Sequence, residues 1–172
     1  MKYEKLDTFS EKDQEINAVI ETPRGSRNKY ALNPEVQVFA LEKILPAGAV
    51  FPFNFGFIPQ TKAEDGDPLD VIVIMDDPAF PGCVIPSRVI GVIKAEQTDK
   101  GKKPERNDRI IAVPSDSLTE NDLKSIHDLN ENIIKEIENF FISYHAQRGE
   151  IFKPLGIGAA SEAFDVIKKN KK

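Results

Sequence analysis

Residues 64–71 read Glu64-Asp65-Gly66-Asp67-Pro68-Leu69-Asp70-Val71, placing four carboxylates within seven positions. Charges that close repel one another unless something positive lies among them. Hard divalent cations such as Mg²⁺ answer that need, because they take oxygen ligands. Gly66 permits a tight turn, and Pro68 restricts both itself and Asp67. The apolar run from Val71 to Met75 follows at once and suits a buried strand, so Asp70 opens an element whose rigid backbone would aim its carboxylate. A solvated acidic turn is the plain alternative, and the adjacent buried strand and the interleaved Gly and Pro weigh against it. A calcium-binding EF-hand loop is rejected, since it needs acids at alternate positions and Pro68 interrupts that spacing.

Outward from this stretch the first two thirds of the chain favour strands. Ile16, Ala18 and Ile20 alternate with polar or smaller residues, and Val36, Val38 and Ala40 do so again. Val84 to Ala95 and Arg109 to Val113 complete the set, with Gly and Pro between. After Pro114 the pattern turns helical. Thr119 with Asp122 resembles an N-cap with an acid three residues on. Residues 131–148 carry Ile133, Ile134, Ile137, Phe140, Phe141 and Tyr144 on one helical face, ended by Gly149. A last helix is expected from about Ser161 to Lys169, with a frayed basic tail. Strands first and helices after predict an α+β fold: a closed or nearly closed small barrel with helices packed on it, in one domain.

The length of 172 residues suits one such domain. Carboxylates outnumber Lys and Arg by 28 to 23, for a net charge of −5. That balance argues against nucleic acid as a partner, while a local basic cluster could still hold a small anion. The single cysteine, Cys83, cannot pair within the chain and reads as a small buried thiol. No apolar run approaches the roughly 20 residues that span a bilayer. The acids Glu4, Asp7, Glu11, Asp13 and Glu15 look unlike a secretory signal, so a cytoplasmic protein without membrane contact is expected.

The run Asp65 to Val71 resembles the signature of the soluble (family I) inorganic pyrophosphatases, and the resemblance extends from about residue 14 to 168. Val19-Ile20-Glu21-Thr22-Pro23 with Lys29-Tyr30 is similar to the family's first strands, and Phe51-Pro52-Phe53-Asn54-Phe55-Gly56-Phe57-Ile58 to the segment that leads into the acidic loop. Pro81-Gly82, Gly91-Val92, Ala112-Val113-Pro114 and Phe140-Phe141 with Tyr144 follow in register. The resemblance implies a small OB-like five-stranded β-barrel flanked by C-terminal helices. It also implies hydrolysis of pyrophosphate to two phosphates with Mg²⁺, Mn²⁺ being a second candidate. By the same resemblance Asp65, Asp70, Glu21 and Asn107 would serve the metals and Asp67 would accept a proton from water. Lys29, Lys43, Arg109 and Tyr144 would hold phosphate oxygens. A homo-oligomer is the assembly it implies.

The chain departs from the family pattern at several polar positions. Ala31 stands where the family carries Glu, Lys43 where it carries Arg, and Phe51 and Phe55 where it carries phenols. Gln97 and Asn107 replace two Asp, Arg109 replaces Lys, and His145 replaces Lys after Tyr144. Asp99 or Asp108 could restore lost charge, but strand alternation turns Asp108 to the side opposite Arg109 and leaves Asn107 on Arg109's side. The Lys100, Lys102, Lys103 and Arg106 loop reads as a solvated surface, or as a flap that supplies a cation to the site. Three functions stay open: an Mg²⁺-dependent pyrophosphatase, a divergent enzyme acting on another phosphate compound, and a non-catalytic module binding an anion, a metal or a protein. Nucleic-acid binding on a row of Phe51, Phe53, Phe55 and Phe57 is disfavoured, because such a row is more simply a barrel core.

Overall fold

Ile16, Ala18 and Ile20 form one buried face of strand β1, Glu15–Thr22, in the computed structural model, which describes residues 3–12 and 14–172. The other side of β1 is covered as well. Asn17 is buried there, and its Nδ2 donates to the carbonyls of Asp7 and Phe9 at 2.8 and 3.2 Å. The further strands are β2 (Asn28–Asn33), β3 (Val38–Ile44), β4 (Asn54–Phe57), β5 (Asp70–Val73), β6 (Val84–Thr98), β7 (Glu105–Arg106) and β8 (Arg109–Pro114). Helix α1 (Glu131–Ala146), strand β9 (Ile151–Ala159) and helix α2 (Ala160–Asn170) follow.

Pairing closes a ring. β1 lies against β4, β4 against β5, β5 against β8 and β8 against β6, and β6 returns to β1. Within this five-stranded barrel only the β5–β8 pair is parallel. The OB-like α+β architecture expected from the sequence is therefore present. The 15-residue β6 makes closure possible: one stretch pairs with β1, another with β8, and its far half takes β9. β2 and β3 form a separate hairpin beside the barrel.

The period-2 pattern of β5 divides the interior. Val71 and Val73 join β1 and the α2 residues Ala163 and Ile167 in one apolar cluster. Ile72 joins Phe51, Phe53 and Phe55 and the α1 residues Ile137 and Phe141 in another. All four phenylalanines of the 51–57 row are buried, as a barrel-core row should be.

Some local expectations need correction. Val36 is not in a strand; it lies in the turn between β2 and β3 and is 63% exposed. Thr119 and Asp122 cap nothing, and the capping box is instead Ser125 with Asp128 around the short 3₁₀ turn Ile126–Asp128. α1 begins one turn later, with the Asn130 side chain accepting from the Asn132 N–H at 2.9 Å. The basic tail is tied down: Lys171 bridges to Thr61, and the Lys172 N–H donates to the Gln60 carbonyl at 2.9 Å. β9 was not expected at all. Cys83 is half-buried, and burial pushes its thiol pKa up. Among the described residues no helix is long and apolar enough to cross a membrane.

Candidate active site

The acidic stretch leaves the barrel as a turn between β4 and β5. Gly66 sits at φ 96°, a conformation that side chains resist, and this lets the Ala63 N–H reach the Asp67 carbonyl at 2.7 Å. The Asp65 carboxylate accepts the Asp67 N–H at 3.1 Å. Asp65, Asp67 and Asp70 line one wall of a cleft of about 1010 Å³. Glu21 enters the same cleft because β1 is bulged. The register jumps between Ile20 and Thr22, which leaves Glu21 as the extra residue. Its Oε1 accepts the Leu32 N–H at 2.8 Å.

These acids are short of positive charge. Burial pushes the Glu21 pKa from 4.5 up to about 7, against the pull of the Leu32 N–H and with a further push from Asp70. Burial raises Asp70 too, although Arg109 and Lys29 pull it back. Asp65 is raised by burial and by its acidic neighbours, partly offset by the Asp67 N–H. The donors are all hard oxygens, the set that suits a small divalent cation. Among the described residues no three His, Cys, Asp or Glu side chains already stand at ligating distance. Asp65 and Asp67 are exposed, so their carboxylates can turn toward an ion beside Asp70.

Cations and a hydroxyl face the acids. Lys29 Nζ pairs with Glu42 at 2.8 Å and lies 5.9 Å from the Tyr144 ring. Burial opposes its charge, but Tyr144 and Glu42 outweigh burial and hold its pKa up. Tyr144, on α1, is buried, and its hydroxyl has no hydrogen-bond partner. Lys43 does not line the cleft. Its Nζ lies 4.4 Å over the Tyr144 ring without a hydrogen-bond partner, and burial, then Arg148 and Lys29, lower its pKa.

Beside Asp70 runs a connected row of side chains. Arg109, 2% exposed, pairs with Asp70 at 2.5 Å, and the two are also register partners in the β5–β8 pair. The guanidinium packs on Phe141 and Phe152, 4.8 and 5.3 Å from their ring centres. Asn107 gives its amide oxygen to Arg109 and donates through Nδ2 to Gln97 Oε1 at 2.6 Å. Gln97 Nε2 donates in turn to Asp99 at 2.9 Å, and Asp99 pairs with Lys102 at 2.9 Å. Asp108 faces away, accepting from the Ala95 N–H at 3.0 Å and from Arg106 at 2.7 Å.

A family model described as inorganic pyrophosphatase matches residues 18–172. The chain belongs to the inorganic pyrophosphatase family. An inorganic pyrophosphatase of Synechocystis sp. is 43% identical over 141 residues, covering 82% of this chain and 80% of its own length. One from Halalkalibacterium halodurans is 40% identical over 148 residues, 86% of each chain. The crystal structure of an inorganic pyrophosphatase from Neisseria gonorrhoeae superposes with a TM-score of 0.87 at 38% identity, covering 98% of this chain and 95% of that one.

Against the family pattern, the changed positions other than Lys43 sit together in space. Ala31, Phe51, Phe55, Gln97, Asn107, Arg109 and His145 all line the cleft. His145 stacks on Phe152 with 5.3 Å between ring centres, and its Nδ1 lies 3.0 Å from Glu150. Burial, aided by Arg109 and against the Glu150 contact, lowers its pKa to about 4, so at neutral pH it brings no charge where the family has Lys. Of the residues weighed as replacements for lost charge, Asp99 and Lys102 do line the cleft, while Arg148 and Glu150 line it without having been singled out in the sequence. Arg148 had a signal, standing four residues after Tyr144 at helical spacing.

Proposed function

We propose that the cleft performs Mg²⁺-dependent hydrolysis of pyrophosphate to two phosphates, with Mn²⁺ as a competent substitute. The observation that carries this is the pairing, across one cleft, of Asp65, Asp67, Asp70 and Glu21 with Lys29, Arg109 and the unpartnered Tyr144 hydroxyl. Pyrophosphate hydrolysis is the chemistry of the family, and nothing in the cleft favours another reaction.

Asp65, Asp70 and Glu21 would hold the metal. When bound, a divalent ion supplies positive charge to phosphate oxygens and acidity to a water. Asp67, exposed at the cleft mouth, takes the proton of the attacking water. Lys29 and Arg109 neutralise the phosphate oxygens, and Arg109, fixed by its aromatic packing, is aimed before substrate arrives. The Tyr144 hydroxyl finds in a phosphate oxygen the partner it lacks in the protein. Lys43 contributes field and support for the Tyr144 ring rather than a direct contact.

Phosphate release from pyrophosphate with Mg²⁺, with Mn²⁺ and with a chelator tests this reading. Release should need the metal and return when it is restored. Release that survives complete chelation would contradict it. Assembly into a homo-oligomer is proposed alongside, and sedimentation at a multiple of the 19.2 kDa chain mass is the result that would bear it out.

A further inference from the structure

Resting on the reading of the acidic turn as the metal-holding side, the residues joined to Arg109 form the side of the cleft next to Asp70. There the Arg109 guanidinium meets the Asp70 carboxylate and one amide, Asn107, behind which stands a second amide, Gln97. Asn107 presents its oxygen to Arg109, and its Nδ2 is engaged by Gln97, whose own Nε2 is engaged by Asp99. An amide oxygen brings no net charge, and this one already faces a guanidinium that cannot lose its proton. A dication placed on the same oxygen would meet that guanidinium at close range with no added carboxylate to offset it. Arg109 is not free to step aside. It is buried, packed on two aromatic rings, and ion-paired to Asp70. The nearby carboxylate that could have changed the balance, Asp108, faces away and is already engaged by Arg106 and the Ala95 N–H.

We infer that the Gln97–Asn107–Arg109 wall holds no metal ion, and that Arg109 itself is the fixed cation serving Asp70 there. Gln97 and Asn107 are positioning residues: they hold the guanidinium, and divalent ions enter only on the side of Asp65, Asp70 and Glu21. The cleft thus keeps one cation that no chelator removes.

Calorimetric titration with Mn²⁺, without pyrophosphate or phosphate, tests this on folded protein, with thermal melting run beside it. In Asn107→Ala the number of Mn²⁺ bound should match wild type, with dissociation constants within about threefold. The same variant should show a raised KM for pyrophosphate with kcat less affected, because Arg109 loses its support. In Gln97→Asp/Asn107→Asp, where one carboxylate replaces the amide on Arg109 and a second stands next to it, an additional Mn²⁺ per chain should bind. Loss of an ion in Asn107→Ala would overturn the inference, as would equal numbers of ions on wild type and the double variant. Wild type binding no Mn²⁺ while the double variant binds it would support the inference and overturn the metal role of the acidic turn. Should one variant fail to fold, the other decides by the same count.

Discussion

The Tyr144 hydroxyl is buried beside Arg148 without a well-formed hydrogen bond, and a hydroxyl left so costs about 1–3 kcal/mol. Tyr144→Phe should therefore leave the urea midpoint unchanged or slightly higher. It should raise KM for pyrophosphate by on the order of tenfold, the worth of one hydrogen bond to a charged oxygen. Unchanged KM would remove Tyr144 from substrate binding. His145 gives a pH signature. Its pKa falls from 6.5 to about 4 on folding, so between those values the unfolded chain binds more protons. Stability should be full above pH 6.5 and decline as pH falls toward 4, by about 2 kcal/mol at pH 5 if His145 acts alone. Glu150, Arg109 and Arg148 bear on the same ring, so the clean comparison is with His145→Phe, which keeps the stack on Phe152. Urea unfolding at pH 7 and pH 5 should show a smaller loss in that variant. At this scale the sequence spoke well about orientation: strand alternation turned Asp108 away from the cleft and left Asn107 beside Arg109, as observed. It was silent on what Lys43 would touch, because a register shift next to Lys29 decides that.

Elements place these residues, and their irregularities matter most. The bulge in β1 turns Glu21 into the cleft, and nothing in Val19-Ile20-Glu21-Thr22 announces it. Gly56 sits where β4 crosses β1 so closely that an added Cβ would lie 1.9 Å from the Val19 carbonyl oxygen. Gly56→Ala should force the two strands apart and cost several kcal/mol, on the order of 3 or more. Denaturant unfolding measures it, and a loss below about 1 kcal/mol would contradict the close approach. The strands β1, β5, β6 and β8 were legible because their apolar residues alternate or run continuously between Gly and Pro. β9 was not. Ile151–Ala159 contains Pro154, Gly156 and Gly158, punctuation that reads as a loop, and only pairing along β6 makes it a strand. α1 was legible from its apolar stripe and starts at Glu131, where that stripe begins, while the cap expected at Thr119 is replaced by the Ser125–Asp128 turn.

Over the whole molecule a net charge of −5 is matched by a cleft whose carboxylates outnumber its cations, Lys29, Lys102, Arg109 and Arg148 among them, so an anion enters it only with divalent ions in place. Local arrangement, not the total, sets the potential that an anion meets. The family signature and barrel were legible because they reside in one contiguous run and in strand periodicity. The altered wall was legible only as substitutions, since how Gln97, Asn107 and Arg109 join is a property of β6, β8 and the link before β8 brought together. The measurement that tests the account most directly is phosphate release from pyrophosphate by wild type and Asp67→Asn, with Mg²⁺ and again with Mn²⁺. Wild type should turn over and Asp67→Asn should be slower by about 10²–10⁴-fold, the range for loss of a general base. Equal rates for the two proteins in both metals would contradict it.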